Sequence, residues 1–139
     1  MFVIVVGARL GDRLIEELVL RKINVAVVDS NEKDLEILAR KESQIPIVQG
    51  KEYRPEILYK AGAEKADAIV ALTRKDEDNV SIAVAAKHHF RVPRVVALMN
   101  DPVHEWLFSK DLGVDVVLVP SDLIEKAALA SIQETSAKA

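Results

Sequence analysis

The 139-residue sequence contains no cysteine, which excludes disulfide bonds, thiolate metal sites and cysteine nucleophiles. It also lacks an apolar run near the roughly 20 residues that a membrane-spanning helix needs, so we expect no direct membrane insertion. There is no basic excess: 22 Asp and Glu outnumber 19 Lys and Arg, and the net charge of −3 does not favour nucleic acid as a partner. Because residues 1–7 lack the basic region and cleavage site of a signal peptide, we expect a soluble, cytoplasmic protein.

The sequence also lacks the motifs of common catalytic sites. It contains neither a Gly-x-Ser-x-Gly elbow nor a Gly-Lys-Ser/Thr phosphate loop. His88 and His89 suit the negative end of a helix and have no acidic residue at metal-ligand spacing, and His104 has no second histidine to complete a zinc motif. The acidic run 76–78 either holds a cation through waters or opens a helix. We therefore expect no catalytic residue and no metal site, and we do not expect an enzyme.

What the sequence does contain is an alternation of apolar runs and helical segments. We expect strands at 2–6, 25–28, 45–48, 68–72, 95–99 and 116–119, and helices at 12–21, 31–41, 55–61, 77–89, 102–112 and 121–132. The strands are apolar throughout, so helices should cover both faces of a parallel sheet. The alternation predicts an α/β fold, a doubly wound parallel six-stranded sheet of Rossmann-like type with strand order 3-2-1-4-5-6. A single domain would occupy residues 1–133, and residues 134–139 would form a frayed tail.

In this fold a ligand lies beyond the carboxyl ends of strands 1 and 4. Strand 1 ends there in the turn Gly7-Ala8-Arg9-Leu10-Gly11, whose two glycines allow a tight turn and close packing of helix on strand. Backbone amides at the start of the following helix suit a pyrophosphate. Asp29 ends strand 2, about twenty residues further on, where a carboxylate accepts the ribose hydroxyls of an adenosine and repels the 2′-phosphate of NADP.

The glycine turn is one residue shorter than the usual Gly-x-Gly-x-x-Gly and lacks the middle glycine that lets phosphates approach the backbone. Two interpretations follow. Either the turn binds a nucleotide and Arg9 pairs with a phosphate, or the glycines serve packing alone, Arg9 is a solvated surface charge and nothing binds.

Longer stretches of sequence are typical of one family. They are Val27-Val28-Asp29, Ala66-Asp67-Ala68-Ile69-Val70-Ala71-Leu72-Thr73, Asp76-Glu77-Asp78-Asn79, Val92-Pro93-Arg94-Val95-Val96-Ala97, Asn100-Asp101-Pro102 and Leu112-Gly113-Val114-Asp115. From Val3 to about Leu123, the sequence resembles the amino-terminal Rossmann lobe of the regulator-of-potassium-conductance (RCK) domains, which are also called TrkA-N or KTN domains.

The resemblance implies a domain that assembles into dimers and rings, gates potassium channels and transporters, and responds to NAD(H), ATP, ADP, AMP or cations. It implies that Gly7 and Gly11 lie at the phosphate loop, Asp29 at the ribose, and Thr73 at the end of strand 4, near the phosphates or the distal nucleotide. The candidate cofactor-binding residues are Gly7, Ala8, Arg9, Leu10, Gly11, Asp29, Ser30, Gly50, Lys51 and Thr73.

The sequence departs from the family pattern twice at this site. One departure is the short glycine loop. The other follows strand 3, where family members commonly carry Gly-Asp-Ala with an Asp that helps to hold the adenine, and this sequence reads Gly50-Lys51-Glu52. Lys51 cannot accept a hydrogen bond from an adenine amino group, and Glu52 could do so only after a small shift. The family's carboxy-terminal lobe has no counterpart here, which leaves open a stand-alone domain or one lobe of a longer protein.

Two helical segments predict an assembly surface. Segment 79–89 is apolar on nearly every face, so we expect it to be buried on two sides. In segment 102–112, the consecutive side chains of Trp106, Leu107 and Phe108 cannot all point inward. We expect a homodimer or higher oligomer through these two helices, the surface on which the resemblance also places assembly. The alternative is that the two helices pack against each other within one chain.

The sequence thus predicts a cytoplasmic regulatory domain, peripheral to the inner membrane through a partner. It would sense an adenine nucleotide, NAD(H) or ATP, ADP or AMP, and control a potassium or other cation channel or transporter. The alternative is a structural assembly module with a degenerate, empty nucleotide cleft. An oxidoreductase is not expected, because such enzymes usually add a second domain for the substrate.

Overall fold

The computed structural model describes residues 1–136 and contains one six-stranded sheet with every strand pairing parallel. The strands are β1 (Phe2–Val6), β2 (Asn24–Asp29), β3 (Ile47–Gln49), β4 (Ala68–Ala71), β5 (Arg94–Leu98) and β6 (Val116–Leu118). Their order is β3-β2-β1-β4-β5-β6. The predicted fold class and topology are therefore confirmed, and the order reverses direction between β1 and β4, where this fold opens a crevice.

Helices follow the strands in alternation. They are α1 (Asp12–Leu20), α2 (Glu32–Lys41), α3 (Pro55–Lys60), α4 (Asp76–Val84) and α5 (Pro120–Ser136). A π-helical turn, Ala85–His89, extends α4, and short 3-10 helices occupy Ala63–Lys65, Pro102–Leu107 and Lys110–Leu112. Among residues 1–136, the helices are all too short or too polar to cross a lipid bilayer.

The core consists of two apolar layers, one on each face of the sheet. On one face, Ile4 and Val6 of β1 pack with Ile82 of α4. On the other face, Val5 packs with Ile15 of α1 and Leu38 of α2. This arrangement explains why the strands are apolar at successive positions instead of alternating, because both faces of the sheet are buried.

The segment 102–112 was expected to be one α-helix, and this expectation is wrong. It forms two 3-10 helices separated by an extended residue, Phe108, and Asp101 caps the first by accepting a hydrogen bond from Val103 N at 3.1 Å. Val103 and Trp106 are exposed, so the segment has no continuous apolar face to bury. Since packing of such a face supplies most of the stability of a short helix, the α-helical period is not maintained here.

The other helices differ from expectation mainly at their ends. The helix expected at 77–89 begins one residue earlier and ends in the π-helical turn, in which Phe90 N donates to Ala85 O at 3.0 Å. Helix α5 begins at Pro120, so Ser121 is not its N-cap, and it continues through Ser136. Residues 134–136 of the expected tail are therefore helical, and residues 137–139 lie outside the described residues.

Candidate functional site

A cleft of about 880 Å³ opens at the carboxyl ends of β1, β2, β3 and β4. Its walls come from the loops that follow these four strands, from the starts of α2 and α4, and from Asn100 in the loop after β5. The lining residues are Gly7, Arg9, Leu10, Asp29, Ser30, Asn31, Asp34, Lys51, Glu52, Tyr53, Leu72, Thr73, Arg74, Lys75, Asp78 and Asn100. The cleft thus occupies the crevice where doubly wound folds bind ligands.

The structure brings most of the candidate residues together. Seven of them line the cleft: Gly7, Arg9, Leu10, Asp29, Ser30, Lys51 and Thr73. Ala8, Gly11 and Gly50 lie behind the lining and shape its loops. Sequence reasoning missed Asn31, Asp34, Tyr53, Leu72, Arg74, Lys75, Asp78 and Asn100 as lining residues. Position was the signal that could have found most of them, because they follow strand ends that meet at one edge of the sheet.

The glycine turn closes tightly on itself. Gly11 N donates to Gly7 O at 3.1 Å, so the turn leads directly into α1. Gly7 has φ +112°, and a Cβ there would lie 2.5 Å from Leu72 O. A Cβ on Gly11 would lie 2.6 Å from Gly7 O and 2.7 Å from Val5 Cγ1. Both glycines are therefore required by packing, whether or not a ligand binds.

Asp29 is fixed against the glycine turn. Its Oδ2 accepts a hydrogen bond from Ala8 N at 2.8 Å, and its Oδ1 accepts one from Asn31 N at 3.0 Å. The residue is only 8% exposed. Since an ionised carboxylate has about four acceptor positions, each oxygen keeps capacity for one further donor, such as a ribose hydroxyl.

Two backbone amides of the turn belong to residues that line the cleft and have no acceptor within residues 1–136. Among residues 1–136, no acceptor is found for the amides of Arg9 and Leu10, whereas those of Gly7 and Ala8 donate to Val28 O and Asp29. The two amides immediately precede the N-terminus of α1, where the helix dipole favours an anion. The turn can therefore offer two donors to a phosphate despite its missing glycine.

On the β3 side, Glu52 binds the backbone at the end of β2, a contact that sequence reasoning did not anticipate. Ser30 N donates to Glu52 Oε1 at 2.7 Å, which ties the loop after β3 to the end of β2. Gly50 N donates to Asp29 O at 3.1 Å and holds the same loop from its other end. Lys51 is exposed and lines the cleft.

On the β4 side, buried Asn79 organises the loop that begins with Thr73. The side chain of Asn79 accepts from Thr73 N at 2.9 Å and from the Thr73 hydroxyl at 2.7 Å. It donates to Thr73 O at 3.0 Å and to Leu98 O at 2.9 Å. Asn79 is fully buried, so these bonds fix the end of β4 against the end of β5. Because its hydroxyl is engaged with Asn79, Thr73 positions this loop.

Asp76 joins the same loop to the segment after β5. Its Oδ1 accepts from Asn100 N at 2.6 Å and Asn100 Nδ2 at 2.9 Å, and its Oδ2 accepts from Asp101 N at 3.0 Å. His104 Nδ1 lies 2.7 Å from Oδ2. Of the two interpretations of the acidic run 76–78, the structure favours the helix-opening one, and no three His, Cys, Asp or Glu side chains within residues 1–136 converge on a metal position.

The Asp76–His104 pair changes the pKa of both groups. Burial alone would raise the pKa of Asp76, but hydrogen bonds from His104, Asn100 and Asp101 lower it below its usual value. The hydrogen bond to Asp76, assisted by the charges of Asp76, Asp101 and Glu77, outweighs partial desolvation and raises the pKa of His104. Both shifts favour the charged forms, so the pair is an ion pair at mildly acidic pH, below 6.5.

The cleft carries both signs of charge, unevenly distributed. Asp29, Asp34 and Glu52 line it near β2 and β3 together with one cation, Lys51, whereas Arg9, Arg74 and Lys75 line it near β1 and β4. Within residues 1–136, none of these four cations has a carboxylate within 4.0 Å. Asp78 lies on the β4 side, and burial, opposed by Lys75 but reinforced by Glu52 and Glu77, raises its pKa.

A cleft at the switch point of a doubly wound sheet, with a glycine turn at one strand end and an acidic residue at the next, defines a Rossmann-type domain of the nucleotide-binding class. The profile of the TrkA-N domain family matches residues 2–120, and the chain belongs to that family. The resemblance to the RCK and TrkA-N domains is thereby confirmed.

Relatives and solved structures agree with this assignment. The chain is 36% identical over 132 residues to the Trk system potassium uptake protein TrkA of Mycobacterium tuberculosis, covering 91% of this chain and 59% of the relative. It is 33% identical to the protein of the same name from Vibrio alginolyticus, covering 89% of this chain and 28% of the relative. The chain therefore spans well under two thirds of these relatives.

Two solved structures illustrate the likeness. The TrkA-N domain of the inner membrane protein YbaL from Escherichia coli has a TM-score of 0.82 at 19% identity, covering 93% of this chain and 94% of that one. The GsuK channel bound to NAD has a TM-score of 0.71 at 25% identity, covering 86% of this chain and 21% of that one. At 19% identity, the first of these likenesses shows the fold alone.

Proposed function

We propose that this chain is a cytoplasmic regulatory domain that binds an adenine nucleotide in its cleft and controls a potassium channel or transporter in the inner membrane. The observation that carries the proposal is the junction of Asp29 with the glycine turn. It places a carboxylate with remaining acceptor capacity beside two amides without a protein acceptor. Related proteins named for potassium uptake, and a neighbouring channel bound to NAD, support both halves of the proposal.

The contacts around the cleft suggest how occupancy is transmitted. A ligand that bridges the glycine turn and the loop after β4 would bias the spacing of the two halves of the sheet. The loop after β4 leads directly into α4, and Asp76 at the start of α4 binds the backbone of residues 100 and 101. A ligand with different affinities for two positions of this loop would shift the arrangement of α4 and the segment after β5.

The first test concerns Asp29. We expect Asp29→Asn to weaken binding of the preferred nucleotide about 10- to 100-fold, because the amide loses the charge that strengthens hydrogen bonds from ribose hydroxyls, about 1.5–3 kcal/mol. Isothermal titration with AMP, ADP, ATP and NAD measures this loss. Asp34→Asn is the matched control, since Asp34 lines the same cleft and its carboxylate forms no hydrogen bond or ion pair within residues 1–136. Unchanged affinity in Asp29→Asn would place the ribose elsewhere.

A second candidate function is a structural assembly module with an empty cleft. The observation in its favour is that the glycine turn is closed by its own Gly11-to-Gly7 bond and that Ala8 N is already bound by Asp29. Stoichiometric binding of any of the four nucleotides to the unmodified protein would exclude it. Absence of binding with all four would replace the sensor proposal with this module.

We propose further that the domain forms a homodimer or higher oligomer through segments 79–89 and 102–112. The alternative, packing within one chain, accounts for part of this surface: His88 Nε2 lies 3.1 Å from Asp111 O, and a Cβ on Gly113, just after the second segment, would lie 2.7 Å from Ala83 O. Trp106 nevertheless remains 77% exposed. A tryptophan left in water beside further exposed apolar groups is typical of an interface.

We expect Trp106→Glu to reduce the oligomer mass in sedimentation velocity, because a charge at the centre of an apolar contact is desolvated on association. Leu20→Glu is the control, since Leu20 is 68% exposed and lies on α1, outside segments 79–89 and 102–112. A monomeric unmodified protein at all concentrations would contradict the assembly proposal. So would an unchanged mass for Trp106→Glu.

A further inference from the structure

We propose that the cleft selects an adenosine di- or triphosphate over a dinucleotide or a monophosphate, with Arg74 and Lys75 holding the terminal phosphate. This inference rests on the proposed function, because it assigns the ligand class of the same cleft. It concerns the half of the cleft beyond the glycine turn, on the side of β4.

The loop after β4 lies directly against the glycine turn. Leu72 N donates to Val6 O at 2.7 Å, and the Leu72 carbonyl is the atom that a Cβ on Gly7 would strike. Arg74 and Lys75 follow within three residues and line the same cleft as Arg9. A phosphate chain that begins at the Arg9 and Leu10 amides and extends away from Asp29 therefore runs toward these two cations.

The neutral polar groups on this side are already engaged. The hydroxyl and the amide of Thr73 both bind Asn79. Asn100 Nδ2 donates to Thr73 O at 3.1 Å and to Asp76 Oδ1 at 2.9 Å. The ribose and carboxamide of a second nucleoside would need such groups, so this side offers a nicotinamide nucleoside few partners.

The two cations on this side, by contrast, form no ion pair within residues 1–136. Among residues 1–136, Arg74 and Lys75 are exposed and pair with no carboxylate within 4.0 Å. Guanidinium and ammonium groups bind phosphate oxygens through charge-assisted hydrogen bonds. The same cations repel the positively charged ring of oxidised NAD.

The test compares AMP, ADP, ATP and NAD by isothermal titration in buffer without divalent cations. We expect ADP or ATP to bind the unmodified protein at least about tenfold more tightly than AMP or NAD, a tenfold difference being about 1.4 kcal/mol. The double variant Arg74→Gln/Lys75→Gln should lose about 10- to 100-fold in affinity for ADP and ATP, and less than about threefold for AMP, because AMP does not reach these residues.

The matched control is Lys60→Gln/Lys65→Gln, which removes the same charge from exposed positions outside the cleft. It should leave all four affinities unchanged, and thermal melts should show that both double variants fold. Equal or tighter binding of AMP or NAD would overturn this inference and leave the proposed function standing. An equal loss of affinity for AMP and ADP in Arg74→Gln/Lys75→Gln would also overturn this inference and leave the proposed function standing. Failure of every nucleotide to bind would overturn both.

Discussion

Gly7→Ala is expected to destabilise the fold by more than about 3 kcal/mol, because it combines backbone strain with a steric clash. Gly7 has φ +112°, a conformation that residues with a Cβ rarely adopt. The new Cβ would lie 2.5 Å from Leu72 O and 2.9 Å from Leu72 C, which are backbone atoms of the adjacent strand end. Neither can move away, since Leu72 N and Gly7 N are held by Val6 O and Val28 O.

Urea unfolding followed by circular dichroism measures this effect, and Gly50→Ala is its control. A Cβ on Gly50 would also meet a neighbour at 2.5 Å, but that neighbour is Ile57 Cδ1, the end of a flexible side chain, and Gly50 has no positive φ. We therefore expect a loss well below that of Gly7→Ala. Similar losses for the two variants would show that the close approach of the glycine turn to β4 does not limit stability.

The sheet, its strand order and three residues of the site could be predicted from the sequence. The apolar runs predicted the sheet and its order because burial on both faces leaves a local signature in each strand. Gly7, Gly11 and Asp29 could be found because each follows a strand end at a characteristic spacing. These predictions depend on short stretches of chain whose structure is determined locally.

The contacts of Asn79 and Asp76 could not be predicted in the same way. Asn79 binds Leu98, nineteen residues away, and Asp76 binds Asn100, twenty-four residues away. Periodicity identifies which face of a helix is buried, but it gives no information on which polar residue finds its partner there. For the same reason, the bond between Ser30 N and Glu52 could not be predicted, because it depends on how the loop after β3 folds back toward the end of β2.

The prediction of an α-helix over segment 102–112 failed for a related reason. Its apolar residues and Pro102 predicted an α-helix, because helical propensity is read locally. The helix did not form because its apolar residues Val103 and Trp106 have nothing to pack against within residues 1–136. An apolar segment that remains exposed in one chain is consistent with an interface between chains, which is why the Trp106 experiment bears on function.

Asp76→Ala is expected to lower the free energy of unfolding by about 2–4 kcal/mol, because it leaves the backbone amides of Asn100 and Asp101 without their acceptor. The side chain of Asp76 is only 1% exposed, so these bonds are shielded from water in the folded protein. Glu77→Ala is the control, since Glu77 lies in the same first turn of α4 but is exposed. Equal losses of unfolding free energy in Asp76→Ala and Glu77→Ala would show instead that the effect comes from removing a negative charge at the N-terminal end of the α4 dipole.

The pH dependence of the difference between the unmodified protein and Asp76→Ala tests the ion pair itself. The pKa of Asp76 is lowered from 3.8, so its contribution is present above pH 3.8 and is lost as the pH falls through the lowered value. The pKa of His104 is raised from 6.5, so the contribution of its charge is present below pH 6.5 and is lost as the pH rises through the raised value. The difference should therefore be largest between pH 3.8 and pH 6.5 and should become smaller as the pH rises through the raised pKa of His104. A difference that stays constant from pH 5 to pH 9 would show that the hydrogen bonds to the backbone, and not the charge of His104, hold this loop.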